Sequence, residues 1–279
     1  MKYFALSIIV FLFGISTLFS QTDGDKNPVL TEKFIIEAGW YFPSENVDLG
    51  VQGSTDLEGI EDIDFDETLG LSGGKNTFNL NFRWRFSKSK KWSVSGEYFR
   101  VNTEETVTLD EEIEWEDVTY PVGGEAKLGY GLSLYRVFFG RVISTGQKHE
   151  LGGGLGIHGL NTKAFIEGNA EIDGESAGFE RQEESIFLPL PNIGAWYLWA
   201  PSAKWSFIAR VDWFGIKIDN ISGGLWNISP GVAYNIGKKF GVSANYQFLN
   251  FNADIDQDDW KGSFDLSFGG PSLRAFVHF

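Results

Sequence analysis

The chain has 279 residues, a formal net charge of -15 and no cysteine. That charge argues against a nucleic-acid partner, and the lack of cysteine excludes a disulfide framework and a lipid-modified cysteine. With 25 Phe, 10 Trp, 9 Tyr and 34 Gly against a single Met, the composition favours strands and weakens helices, so the chain reads all-β.

In chain order, Met1 and Lys2 precede an apolar run over residues 4–19 and a polar boundary at Ser20 and Gln21. This is the pattern of a secretory signal peptide over residues 1–20. The competing reading, a membrane anchor, needs about 20 apolar residues, more than the run supplies. Residues 21–32 then form a short N-terminal segment, and residues 33–279 form the main domain. No later apolar run approaches the length of a transmembrane helix.

Residues 32–43 predict a first strand, with Phe34, Ile36, Ala38, Trp40 and Phe42 on one parity and Glu37 and Gly39 on the other. A polar segment follows over 44–74, rich in Asp and Glu and without a basic residue before Lys75. The clearest alternation comes next. Phe78, Leu80, Phe82, Trp84 and Phe86 point one way, and Thr77, Asn79, Asn81, Arg83 and Arg85 the other. After a turn at Ser87-Lys88-Ser89-Lys90, Trp92, Val94 and Tyr98 oppose Ser93, Ser95 and Glu97.

The rhythm repeats. An acidic segment at 102–125 leads to strands at 127–143 and 150–160, the second glycine-rich, and a third polar stretch covers 162–184. Strands follow at 186–199 and 205–217, a compact loop at 219–224, and further strands around Trp226 to Tyr234 and Phe240 to Phe248. An acidic loop over 254–259 precedes the last strand. Before Gly269-Gly270-Pro271 that strand alternates as Phe264, Leu266, Phe268; after it, as Leu273, Ala275, Val277, Phe279 on the opposite parity. The parity change suggests a bulge or bend.

About ten strands, with 8–12 allowed, joined alternately by short turns and long connections, give a transmembrane antiparallel up-and-down β-barrel. Lys88, Lys90, Lys91, Lys148, Lys204, Lys238 and Lys239 collect in the short turns, and the long loops are acidic. A soluble sandwich or lipocalin-like barrel is the alternative, but it would have to hide a very large volume of Phe and Trp. Trp84, Phe86, Trp92, Trp199 and Trp205 fall at one rim and Trp40, Trp213 and Trp226 at the other, as two interfacial belts require.

A closing strand that alternates to a terminal Phe279 resembles the last strand of bacterial outer-membrane barrels. The segments Glu67-Thr68-Leu69-Gly70-Leu71, Asp117-Val118-Thr119-Tyr120-Pro121, Leu188-Pro189-Leu190-Pro191, Ala203-Lys204-Trp205-Ser206 and Phe268-Gly269-Gly270-Pro271 also resemble a group of small, largely uncharacterised outer-membrane β-barrel proteins of Gram-negative bacteria. The resemblance implies the cell outer membrane, periplasmic termini and short turns, and recognition of the last strand by the barrel-assembly machinery. It carries over no catalytic or ligand-binding residue.

Parity names the interior candidates: Glu37, Arg83, Arg85, Glu97, His158, Arg210, Asp212, Arg274 and His278. Arg136 joins them, because an Arg facing lipid at mid-depth costs about 2–4 kcal/mol. Two accounts of this set stay open: an ion-paired plug, or a narrow hydrated channel whose charges set selectivity for a small solute. The leading function is a passive channel or transport-type barrel. The alternative is a closed structural or adhesion barrel acting through acidic loops that meet outer-membrane lipids and lipopolysaccharide.

Catalysis is not expected, because no histidine of His149, His158 and His278 has an evident nucleophile or acid partner in the sequence. No cofactor is implied. The run Asp254-Ile255-Asp256-Gln257-Asp258-Asp259 lacks the Gly and Glu of an EF-hand, which leaves only looser divalent-cation binding by loop carboxylates.

Overall fold

The computed structural model describes residues 26–53, 63–64, 77–109, 112–115, 118–172, 175–218, 221–257 and 260–279. The signal peptide expected at 1–20 lies outside the described residues, as do the motif Glu67 to Leu71 and the acidic residues at 110–111, 116–117 and 258–259.

Among the described residues, a one-turn helix α1 (Pro28–Thr31) is followed by fourteen strands: β1 (Phe34–Tyr41), β2 (Ser44–Gly53), β3 (Ile63–Asp64), β4 (Thr77–Trp84), β5 (Trp92–Thr108), β6 (Ile113–Trp115), β7 (Val118–Tyr120), β8 (Glu125–Thr145), β9 (His149–Ile172), β10 (Glu175–Trp199), β11 (Trp205–Ile218), β12 (Ile221–Asn235), β13 (Phe240–Gln257) and β14 (Trp260–His278). Ten of them (β1, β4, β5 and β8 to β14) form one antiparallel ring, which closes where β1 pairs with β14. Closure leaves no unpaired edge, the condition for backbone to lie in hydrocarbon. The terminal residue takes part: the Phe279 N–H donates to the Phe34 carbonyl at 3.0 Å, and the Phe34 N–H to the Phe279 carbonyl at 2.8 Å.

The outer face follows the expected parity. Phe78, Leu80, Phe82, Trp84 and Phe86 face outward on β4 and the turn after it, and Tyr135, Val137 and Phe139 do so on β8. The rims carry Trp84, Phe86 and Trp199 at the short-turn end and Trp40, Trp213 and Trp226 at the other, all exposed. On β10 the apolar outer row runs from Trp199 through Tyr197 and Ile193 to Phe187. Twelve steps on a strand tilted about 40° rise roughly 30 Å, the depth of a bilayer core with its girdles.

Strand continues where the sequence predicted loops. Residues 162–172 and 175–184, read as a polar connection, complete β9 and β10, which pair from Trp199↔His149 up to Glu175↔Ile172. Residues 102–108 belong to β5, residues 44–53 form β2 on the edge of β14, and the acidic 254–257 lies in β13. Strand propensity was misjudged there because Asp and Glu are poor strand formers on average, whereas a ladder already closed by its neighbours can be extended past the membrane. The barrel therefore stands well above its hydrophobic band.

The Gly-Gly-Pro of β14 is not a bulge. Pairing with β13 runs without a shift from Gln257↔Trp260 to Phe240↔Val277, and Phe268 shares the inward parity of Ser272, Arg274, Phe276 and His278. Glycine is needed at 270 because a Cβ there would lie 2.2 Å from the carbonyl oxygen of Phe42, where the chain passes from β1 to β2. What changes at this level is the surroundings. Below it the outside is lipid and the inside polar; above it the outside is water and the inside apolar.

If the outer row is lipid-facing, Leu155→Arg at a site 64 % exposed should destabilise the barrel by about 2–4 kcal/mol. Urea unfolding in phospholipid vesicles measures this. The same change at exposed Asn102, above the band, should cost far less.

Candidate functional site

One inward row per strand builds the interior, and its composition changes with height. In the upper barrel the rows supply Tyr41, Phe99, Val101, Leu132, Leu134, Leu160, Leu190, Leu225, Leu249, Phe251 and Phe268, all buried in a single cluster. This is an apolar septum across the lumen. Above it the β6–β7 hairpin folds onto inward positions of β8 and β9, where Val118 and Tyr120 pack with Ala126, Leu128, Ile166 and Ala170. The Tyr120 hydroxyl donates to the Ile166 carbonyl at 3.3 Å.

Below the septum the same rows become polar. Arg136 and Asp212 form a bidentate pair, Nε to Oδ2 at 2.6 Å and Nη2 to Oδ1 at 2.8 Å, both side chains almost wholly buried. Arg210 extends the chain: its Nη2 donates to Glu97 Oε2 at 2.5 Å, and its Nε stands 3.6 Å from Asp212 Oδ2. Arg274 Nη1 donates to Glu37 Oε2 at 3.0 Å, and Ser243 Oγ donates to the same oxygen at 3.4 Å. Such pairs offset the cost of taking six charged side chains out of water only because they are also hydrogen-bonded.

His158 sits beside Asp212, 3.7 Å from its Oδ2, between two amides: Asn192 Oδ1 at 3.1 Å from Nδ1 and Asn227 Nδ2 at 3.0 Å from Nε2. Asn227 in turn accepts from Gln247 Nε2 at 3.3 Å. This order of donors fits a neutral ring that donates through Nδ1 and accepts at Nε2.

Glycine makes room for the ion pairs. A Cβ on Gly194 would lie 2.3 Å from Asp212 Oδ1, and one on Gly152 would lie 2.1 Å from the Trp196 ring. The glycine-rich strand is therefore a packing solution, matched to large side chains on the strand beside it.

At the short-turn end α1 enters the mouth. Asn27 caps it, accepting from the Val29 N–H at 3.0 Å, and anchors it by donating to the carbonyls of Ser202 at 2.9 Å and Trp205 at 3.1 Å. Leu30 packs on Leu198 and Ala200. Arg83 and Arg85 hold the helix: Arg83 Nη2 donates to the Val29 carbonyl at 2.6 Å, and Arg85 to the Leu30 carbonyl at 3.2 Å. Arg85 also pairs with Glu150 Oε2 at 2.8 Å, and Glu150 accepts from Trp196 Nε1 at 3.0 Å.

All ten predicted interior residues thus lie inside, His278 with 1% exposure among them, and the other nine fall in two groups. Arg136, Asp212, Arg210, Glu97, Arg274, Glu37 and His158 share the mid-barrel layer, whereas Arg83 and Arg85 serve the mouth. Sequence reasoning missed Glu150, Trp196, Asn192, Asn227 and Gln247. Their signal was available in Asn227, between outward Trp226 and Ile228, and in Gln247, between outward Tyr246 and Phe248.

Between septum and mouth lies a partly open cavity. Its wall combines Arg83, Arg136, Arg210, Arg274 and Glu37 with five serines, Ser93, Ser95, Ser206, Ser229 and Ser243, and with apolar Phe138, Trp196, Ile208 and Phe276. Among the described residues, no group of His, Asp and Glu is arranged to hold a metal ion.

No protein-family model matches the chain, and no curated protein matches its sequence. Among solved structures it is similar to the outer membrane protease OmpT of Escherichia coli, with a TM-score of 0.57 at 8% identity, covering 93% of this chain and 100% of that one. The fold is that of an outer-membrane β-barrel. At that identity the likeness extends to fold alone. Looser matches include Ail of Yersinia pestis (TM-score 0.29, 15% identity, 86% of this chain and 98% of that one) and the toluene transporter TodX of Pseudomonas putida (0.35, 10%, 91% and 92%). Neither is close enough to carry an argument.

Removing one partner of the central pair, as in Asp212→Ala, should cost about 3–5 kcal/mol, because Arg136 is left charged and buried. The double change Arg136→Met with Asp212→Leu should cost clearly less than the single one. Denaturant unfolding in detergent micelles measures both.

Proposed function

We propose that this chain is a transport-type barrel of the cell outer membrane, held shut in the structure described and loaded from the periplasm. The observation that carries the reading is the apolar septum lying across the lumen above a partly open chamber whose wall mixes arginines and serines with apolar side chains. A barrel that served only as a rigid anchor could fill its whole bore with side chains. This one leaves a chamber of mixed polar and apolar lining beneath a greasy seal.

An ion reaching the seal would have to shed its water against Leu134, Leu160 and Leu225, each fully buried. Constrictions of that kind close by excluding water and open when their apolar lining moves aside. In this reading the short turns and both termini face the periplasm, α1 narrows the entrance, and the interior arginines and carboxylates set which solute enters.

A second reading, a closed surface-interaction barrel, is favoured by the tall β9–β10 wall. There Arg181 pairs with Glu167 at 2.6 Å and with Glu183 at 2.8 Å, and Lys163 pairs with Glu183, on a face beyond the hydrophobic band. Such exposed pairs contribute little stability each, but together they stiffen a projecting hairpin.

Planar-bilayer recording separates these readings from a static open pore. The wild-type barrel should show no steady current, and the combined change Leu134→Ser, Leu160→Ser and Leu225→Ser should give discrete openings. A steady ohmic wild-type conductance would refute the sealed state. If the triple variant folds and stays silent, the second reading gains, and shortening β9 and β10 above residues 166 and 182 then becomes the decisive change for cell-surface binding.

A further inference from the structure

Strand β10 loses one of its two neighbours well below its upper end. It pairs with β9 from Trp199↔His149 to Glu175↔Ile172, but with β11 only from Trp199↔Phe207 to Ile193↔Trp213. β11 itself runs on to Ile218, held there by β12. Among the described residues, the wall thus carries a seam between β10 and β11 that starts at the level of Trp213. Below that level the ring is whole.

The cause lies in Pro189 and Pro191. In an antiparallel ladder successive residues turn their backbone groups to opposite neighbours. The Ala200 N–H donates to the Lys148 carbonyl, so even-numbered residues of β10 serve β9 and odd-numbered ones serve β11. The Asn235 N–H likewise donates to the Lys204 carbonyl, which leaves the odd-numbered residues of β11 to serve β10. Carried upward, the register of Ile193↔Trp213 would set Pro191 against Gly215 and Pro189 against Lys217. Neither proline has an N–H to give, so both rungs lack a donor. Each absent N–H is also one fewer polar group to satisfy beside lipid, which lowers the cost of an open edge.

The lips of the seam are greasy on both faces. Residues 186–191 of β10 read Ile-Phe-Leu-Pro-Leu-Pro, an unbroken apolar run in place of alternation. Ile186 and Phe187 lie on opposite parities, yet they are 59% and 58% exposed. Inside, Leu190 belongs to the septum, and Leu188 and Phe214 pack against it from the two sides of the seam. The septum therefore meets the membrane boundary through an apolar gap.

An extended peptide adding itself to this edge would need the donors that Pro189 and Pro191 withhold. An ion would have to shed its water at the septum, and the layer beneath holds no spare charge for it. Among the described residues, Arg136, Arg210 and Arg274 pair there with Asp212, Glu97 and Glu37. An uncharged, hydrocarbon-like molecule gives up no hydrogen bond at the seal and gains by leaving water. Phe138, Trp196, Ile208 and Phe276 offer it apolar wall on the way up.

We infer that the β10–β11 seam is a lateral port, through which a small uncharged apolar solute passes between the septum and the outer leaflet of the membrane. The inference rests on the sealed, transport-type reading above and names the solute class that the seal lets by. The septum stops ions, and the seam opens it sideways to molecules that dissolve in lipid.

The test uses the full chain refolded in phospholipid vesicles with an uncharged aryl diazirine, which dissolves in the bilayer and inserts into neighbouring side chains on illumination. Mass spectrometry maps the labelled positions. Label is expected on the exposed outer row at Val137 and Leu155, and also on Leu160, Leu190 and Leu225 of the septum. Pro189→Thr with Pro191→Thr restores both donors and lets the ladder close. Septum label should then be lost while Val137 and Leu155 keep theirs. Should that variant not fold, Pro191→Cys with Gly215→Cys allows closure after folding by a short bismaleimide, since the chain has no cysteine of its own. The unbridged protein is the reference.

Wild-type label confined to outward positions would overturn the port, lipid then filling the seam. Septum label that survives closure would overturn it too, because the probe must then enter by the mouth. Neither outcome touches the bilayer recording: a silent wild-type barrel keeps its seal without a port, whereas a steady current removes the seal whatever the label does.

Discussion

Apart from register shifts near the strand ends at Val142/Ser144 and Ser176/Gly178, each strand of the ring keeps the same row of side chains pointing inward, because alternate residues on a pleated strand face opposite ways. A row cannot change sides when the strand leaves the membrane. The sequence must therefore exchange apolar and polar residues between the two rows at that height. Gln247, Leu249 and Phe251 on β13 do so on the inner side, as do Asn227 and Leu225 on β12 and His158 and Leu160 on β9. The septum is the inner half of this exchange, and water-facing side chains such as Arg100 and Asn102 are the outer half.

Stability and closure follow from the same layer. Within the membrane the hydrophobic contribution comes mostly from the outside, so the interior is free to hold charge, provided each charge is answered. Arg136, Asp212, Arg210 and Glu97 answer one another in a chain that crosses the bore from β8 to β11 and β5. Above the membrane, where lipid no longer covers the outer row, the barrel needs a core of its own. The cluster of Tyr41, Phe99, Leu132, Leu134 and their neighbours supplies it. That core stands in the path of any solute, so stability of the projecting wall and closure of the lumen are one feature.

The mouth completes the enclosure. Helix α1 is too short to persist alone; Asn27, Arg83 and Arg85 hold it through backbone atoms, and Leu30 seats it on Leu198. A chamber bounded by a greasy seal at one end and a tethered helix at the other is chemically separate from both.

Much of this was legible from residue order. Alternation of Phe78, Leu80, Phe82, Trp84 and Phe86 with Asn79, Asn81, Arg83 and Arg85 gave strand and face, and the volume of Phe and Trp on the greasy face favoured membrane over an enclosed soluble core. The same parity named nine interior candidates, Arg136 was added because an Arg facing lipid is costly, and all ten lie inside. Sequence periodicity could not say which carboxylate meets which guanidinium, because partners such as Arg136 and Asp212 lie on strands that are not neighbours and meet only across the closed bore. Nor could it recognise the septum: Phe268 and Leu273 are equally apolar, and only the height at which each leaves or enters the lipid decides that the first is buried and the second exposed. The barrel's existence was written in local alternation; its closed state was decided by ring closure and by where water replaces hydrocarbon around it.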